Sequence, residues 1–186
     1  MDKKIIIGLV GEISAGKTTV TEYLSQKYQA QTFRFSDMLR DILTRLYLPI
    51  DRANLQTIST ALRSAFGDDV MSRVLADDVS KADNEMIITE GIRRPSDVAY
   101  LKKLDNFYII ALKTDIKIRY NRLSQRQENA DDQKISYEQF LEQSRQEPEQ
   151  KIQEMIAKAD FSANNNDSKE QLFTQIDEIV KKIKAL

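Results

Sequence analysis

Residues 11–18 read Gly-Glu-Ile-Ser-Ala-Gly-Lys-Thr, which is the spacing G-x-x-x-x-G-K-[ST]. A loop of this kind cradles phosphate only when it joins a buried strand to a helix. The neighbours meet that condition. Ile5-Ile6-Ile7-Gly8-Leu9-Val10 is an apolar run of strand length, and Thr19-Val20-Thr21-Glu22-Tyr23-Leu24 reads as the start of a helix. Gly11 and Gly16 let the backbone turn its N–H groups toward an anion. The positive end of the following helix points at the same place. Lys17 reaches the β- and γ-phosphates in such a loop, and Thr18 ligates Mg²⁺. Ser14, Ala15 and Thr19 complete the expected nucleotide contacts.

Composition narrows what the loop can serve. A chain of 186 residues forms one domain with a substantial core. Its 28 Lys and Arg against 29 Asp and Glu leave a net charge of −1. That balance gives no electrostatic reason to bind nucleic acid or an anionic membrane. The partner expected is a small-molecule nucleotide, and the protein itself a monomer or homodimer. There is no Cys and no His, so acid–base and metal chemistry fall to Asp and Glu. The longest apolar run, residues 5–10, is far too short to span a bilayer. No cleavage-like segment follows Lys3 and Lys4, and a cytoplasmic location is expected.

Strand-like runs alternate with helical patterns, which predicts an α/β fold with a parallel sheet flanked by helices. Five strands are expected, near residues 4–10, 31–35, 86–89, 107–112 and 160–164. Between the second and third lie three amphipathic stripes: Leu39/Ile42/Leu43/Leu46, Leu55/Ile58/Leu62/Phe66 and Val70/Val74/Leu75/Val79. They predict a helical insertion over 36–82, each stripe packed inward. Residues 124–134 are almost free of apolar side chains, Ser136-Tyr137-Glu138-Gln139 reads as a capping box, and Pro148 suits a first helical turn. In a phosphate-binding fold such an excursion, 124–147, is expected to serve as a lid, with a plain surface loop as the alternative.

Further candidates sit at strand ends. Asp37 and Arg40 follow the second strand, where the carboxylate can hold Mg²⁺-bound water or take a hydroxyl proton and the arginine can grip an acceptor phosphate. Glu90-Gly91-Ile92-Arg93-Arg94 follows the third, placing a second carboxylate near the metal and two arginines near bound anions. Arg119, Arg122 and Arg126 share one helical face, with Asp115 positioned to pair with Arg119 and Glu128, Asp131 and Asp132 following close behind. Like charges so spaced invite a compensating polyphosphate.

These fragments together resemble the P-loop nucleoside monophosphate kinases. Ser36-Asp37-Met38-Leu39-Arg40 is similar to the Gly-Asp-Met-Leu-Arg segment of adenylate kinases, and Glu90-Gly91-Ile92-Arg93-Arg94 to their Asp-Gly-Phe-Pro-Arg. Arg122 and Arg126 match the two lid arginines four apart. Residues 55–69 resemble phage-type deoxynucleoside monophosphate kinases. Glu90–Arg93 and the tail from Ala159 to Ser168 resemble archaeal predicted nucleotide kinases related to dephospho-CoA kinase. The resemblance departs at Ser36, at Glu90 and at a missing proline, and the lid is shorter. It implies a P-loop NTPase fold and a kinase using ATP and Mg²⁺. In that assignment Lys17, Arg122 and Arg126 neutralise the transferring group. Thr18, Asp37 and Glu90 serve the metal. Arg40, Arg63 and Arg93 or Arg94 hold a nucleoside or deoxynucleoside monophosphate. A ribose hydroxyl of a dephospho-CoA-like acceptor, with Asp37 as base, is the alternative within the class. An ATP-hydrolysing switch without an acceptor is the alternative outside it.

Overall fold

The computed structural model describes residues 4–125, 135–145 and 147–186. β1 (Ile5–Val10) is buried along its whole length because it is the middle strand of five. The order is β2 (Gln31–Arg34), β3 (Met86–Glu90), β1, β4 (Phe107–Lys113), β5 (Phe161–Asn164), and every pairing is parallel. Parallel strands buried on both faces read as continuous apolar runs, as β1 and β4 do.

Side chains of β1 alternate between two cores. Ile5, Ile7 and Leu9 pack on one face with Val20 and Leu24 of α1 (Lys17–Tyr28) and Leu172 and Ile176 of α8 (Lys169–Lys184). Ile6 and Val10 pack on the other face with Met71, Leu75 and Val79 of α4 (Val70–Lys81) and Met155 of α7 (Glu147–Ala157). Gly8 is needed in this strand, since a Cβ there would come within 2.8 Å of both Ile92 and Phe107. The capping box at Ser136 opens α6 (Tyr137–Gln143), with Gln139 N donating to Ser136 Oγ at 3.2 Å. Pro148 lies in the first turn of α7. No helix among the described residues is long and apolar enough to cross a membrane.

The insertion consists of α2 (Asp37–Arg45), α3 (Arg52–Phe66) and α4. Its packing corrects the expectation of three inward stripes. Leu39, Leu43, Val70, Leu75 and Val79 are buried, but Phe66 is 66% exposed, and Leu46 and Val74 face solvent. α3 has no fully buried residue. It lies on the outside of the insertion, so its apolar stripe is only partly covered.

A polar clamp holds α8 to α1. Asp177 accepts hydrogen bonds from Tyr23 and Tyr28 at 2.8 and 2.7 Å and pairs with Lys27 at 2.6 Å, while Tyr23 stacks on Phe173 at 3.9 Å. Burial alone would raise the Asp177 carboxyl, but the hydrogen bonds from Lys27, Tyr28 and Tyr23 outweigh it and hold it below its ordinary 3.8. Burial, and then the bond to Asp177, pushes the Tyr28 phenol up from 10.0 to about 12. Asp177 therefore adds stability that is present above its unfolded value and is lost as pH falls through the lower folded one. Tyr28 adds stability that is present below pH 10.0 and is lost as pH rises toward about 12. Asp177→Asn is expected to cost about 1–2 kcal/mol at pH 7, the worth of charged hydrogen bonds reduced by solvent screening. Urea unfolding at pH 3, 7 and 11 checks this, because the variant's deficit should shrink at pH 3. A deficit that is the same at pH 3 and pH 7 would show that the carboxylate charge is irrelevant to the clamp.

Candidate functional site

The residues between β1 and α1 form a loop closed by left-handed backbone at two places, Ser14 (φ 59°) and Gly16 (φ 101°). Ala15 N donates to Glu12 O at 3.2 Å and tightens the turn. Lys17 Nζ curls back over it, 2.6 Å from Gly11 O and 2.9 Å from Glu12 O. Thr18 is exposed at the start of α1, so its hydroxyl is accessible to a ligand. Thr19 is half-buried on the same first turn.

α5 (Ile116–Ser124), which follows β4, brings two arginines against this loop. Arg119 is 3% exposed and pairs with Glu12 at 2.8 Å, not with Asp115 as the helical spacing suggested. Asp115 is engaged instead by Asn166, whose Oδ1 accepts from Asp115 N at 2.7 Å. Tertiary contact with the loop outcompetes the local pair because Arg119 points into the protein, where Glu12 can neutralise it without solvent screening. Its guanidinium also lies 5.6 Å from the Phe140 ring of α6. Arg122 donates through Nη2 to Asn165 O at 3.0 Å, and burial lowers the pKa of its guanidinium. Arg126 lies outside the described residues, as do Glu128, Asp131, Asp132 and much of the expected 124–147 lid.

Three buried donors on or against the loop have no hydrogen-bond partner among the described residues: Ser14 Oγ, Arg119 Nη1 and Arg122 Nη1. A buried donor left unpaired costs about 1–3 kcal/mol. Three around one phosphate-type loop fit a site built for an anion.

On the other side of the loop, Glu90 at the end of β3 accepts from Thr21 Oγ1 of α1 and pairs with Arg34 Nε at 3.1 Å. Its carboxylate thus sits against α1, one turn beyond Thr18. Asp37 lies at the start of α2, exposed, with Oδ2 accepting from Arg34 N at 3.0 Å. β2 is separated from β1 by β3, so Asp37 stands one strand further from the loop than Glu90. A hydroxyl and carboxylates are the oxygen donors that Mg²⁺ takes alongside water. Among the described residues no group of three or more acidic side chains forms a cage, so any such metal would keep most of its ligands from water and phosphate.

The remaining arginines divide by role. Arg40 is exposed on α2, and Arg93 and Arg94 are exposed beyond β3. Arg63 has a side chain only 10% exposed, pairs with Asp97 at 2.7 Å and donates to Asp68 O. Asp97 in turn accepts from Arg93 N and Arg94 N at 2.9 and 3.0 Å. Arg63 is therefore first a strut from the insertion to the loop after β3. Beside it a polar cavity of about 350 Å³ opens between α3 and Arg94, walled by Gln56, Ser59, Thr60 and Ser64.

Several residues of the site carry no motif of their own. Glu12 sits at a variable position of the loop pattern. Thr114 and Asn165 both hydrogen bond to Ala15 O, at 3.1 and 2.8 Å. The run Asn164-Asn165-Asn166, which begins on the last residue of β5, is the one visible signal for the last of these.

A sequence model of the AAA domain family matches residues 7–162. The chain is 26% identical over 180 residues to a UPF0200 protein of Saccharolobus solfataricus, covering 96% of this chain and 93% of the relative. It is 28% identical over 181 residues to a UPF0200 protein of Methanocaldococcus jannaschii, covering 96% and 90%. In structure it is similar to shikimate kinase from Bacteroides thetaiotaomicron, with a TM-score of 0.65 at 13% identity over 96% of this chain and 98% of that one. The likeness shows a shared α/β fold, a five-stranded parallel sheet flanked by helices.

Proposed function

The chain belongs to the AAA domain family, and from that footing we propose that it is a Mg²⁺-dependent phosphotransferase that moves the γ-phosphoryl of ATP onto a nucleoside or deoxynucleoside monophosphate. The observation that carries this reading is a second polar region, lined in part by Arg63 and Arg94. Besides the loop with Lys17 and Arg122, there is a separate polar cavity between α3 and Arg94. A nucleotide-driven switch needs the first and has no use for the second.

Position supports the following assignment of roles. The loop N–H groups, Lys17 and Arg122 hold and neutralise the triphosphate. Thr18, with Glu90 and Asp37 through water, would hold Mg²⁺, which supplies charge neutralisation at the transferring phosphate. Arg40, Arg93 and Arg94 take the acceptor phosphate, and the Arg63–Asp97 pair keeps the loop of Arg93 and Arg94 in place. Phosphoryl transfer asks the protein for positioning and electrostatics more than covalent chemistry, which suits a chain without Cys or His.

The test is ATP turnover with Mg²⁺ against a panel of nucleoside and deoxynucleoside monophosphates and dephospho-CoA. Turnover that depends on a monophosphate supports the reading. Turnover with dephospho-CoA alone moves the acceptor to a hydroxyl and makes Asp37 the base. Turnover that ignores every acceptor marks an ATPase. Arg40→Ala and Arg94→Ala are each expected to raise the acceptor KM about tenfold or more and leave the ATP KM nearly unchanged, as loss of a charged ground-state contact does. The opposite pattern would put these arginines on the donor side.

A further inference from the structure

Asn165 directly follows β5, is 5% exposed, and touches both halves of the donor site. Its Nδ2 donates to Ala15 O in the phosphate loop at 2.8 Å. Its own carbonyl accepts from Arg122 Nη2 at 3.0 Å, and its Oδ1 lies 3.4 Å from the same nitrogen. Its backbone N donates to Lys113 O at 2.9 Å, which ties the residue to the end of β4. The fit against the loop is close enough that a Cβ on Gly16 would overlap the Asn165 amide. From the same point Arg122 Nη1 is 4.0 Å away, buried and without a partner among the described residues.

We infer that Asn165 is a positioning residue that fastens Arg122 to the phosphate loop, so that the guanidinium meets the terminal phosphate of a bound nucleoside triphosphate. The inference rests on the nucleotide-binding reading above. Arg122 stands near the end of α5, and its helix alone does not fix where a long side chain ends. The Asn165 carbonyl supplies that anchor, and the amide holds the carbonyl in register with the loop. The side-chain amide keeps that backbone carbonyl in place, its Nδ2 donating to Ala15 O while its Oδ1 faces Arg122 Nη2. An Asp would turn a carboxylate toward the Ala15 carbonyl, and an Ala would leave that carbonyl to Thr114 among the described side chains.

The consequence is a specific division of labour. Thr114 also bonds Ala15 O but makes no bond to Arg122, so it steadies the loop without aiming the arginine. Removing Asn165 should therefore weaken triphosphate binding selectively, whereas removing the Thr114 hydroxyl should weaken triphosphate and diphosphate alike.

Calorimetry with ADP and with a non-hydrolysable ATP analogue, both with Mg²⁺, tests this on the full chain. The variants are Asn165→Ala, Asn165→Ser, Arg122→Ala, Thr114→Val and the double Asn165→Ala/Arg122→Ala. The triphosphate-over-diphosphate preference is expected to fall about tenfold in Asn165→Ala and in Arg122→Ala, with no further fall in the double variant, as residues acting through one another show. Thr114→Val should leave the ratio within about twofold, since it shares no partner with the arginine. Asn165→Ser carries the test if the alanine variant does not fold. Additive losses, an unchanged ratio in the Asn165 variants, a Thr114→Val that matches them, or a wild type without triphosphate preference would each overturn the inference. A wild type that binds the analogue yet transfers phosphate to no acceptor overturns the kinase reading instead, and the binding ratio still decides the role of Asn165.

Discussion

Lys17→Ala is expected to lower the transfer rate about a hundredfold or more, equivalent to about 3 kcal/mol of transition-state stabilisation. Its ammonium lies inside the loop, 2.6 Å from Gly11 O and 2.9 Å from Glu12 O, where it can exchange those carbonyls for phosphate oxygens without moving its helix. Lys17 begins α1, so the backbone of the first turn holds its stem in place. The fold should survive, because the ammonium contributes to neither sheet face. The measurements are steady-state transfer with the best acceptor and a thermal melt. A variant within twofold of wild type would remove the loop from the chemistry.

Asp97→Ala should produce the largest loss of stability, about 3–5 kcal/mol, because it strands a buried guanidinium. The Asp97 side chain is 4% exposed and that of Arg63 10%. One carboxylate satisfies Arg63 and the N–H groups of Arg93 and Arg94, so three donors lose their acceptor together. Against a typical total of about 5–15 kcal/mol this is a large fraction. Arg63→Ala should cost less, since Asp97 keeps its two backbone donors. The acceptor KM should rise in Asp97→Ala under conditions where the variant is still folded, because Arg93 and Arg94 lose their anchored backbone. Urea titration measures the first effect. A midpoint near wild type would mean that the pair is solvated and that the insertion is held elsewhere.

The parts of this molecule legible in its sequence are those encoded within about ten residues. The spacing of Gly11, Gly16, Lys17 and Thr18 specifies a turn and its ligand chemistry, because each residue type is needed for a backbone or charge reason at that place. The apolar runs at β1 and β4 announce strands buried on both faces. Ser136 and Gln139 announce a helix start through a reciprocal pair of hydrogen bonds that needs no other part of the chain.

What periodicity misjudged was which side of a helix the protein covers. The stripe ending at Phe66 has helical spacing whether or not something lies against it, and α3 sits at the surface, where only part of the stripe meets a neighbour. The same limit applies to Arg119. Spacing offered Asp115, and the fold offered Glu12, 107 residues away, in a buried setting where a charge pair is stronger.

The sequence by itself determined a phosphate loop between a strand and a helix, an alternating α/β order, and a set of arginines and carboxylates placed at strand ends. Only the tertiary structure decided that β3 stands between β2 and β1, which puts Glu90 beside α1 and Asp37 one strand away. Only it turned Arg63 into a strut with Asp97, and brought Asn165 across 150 residues to join Ala15 and Arg122. The physical reason is that turns, caps and amphipathic faces are set by neighbours in the chain. Buried polar groups take whichever partner the packed strands bring within reach, and a one-dimensional pattern holds no record of that distance.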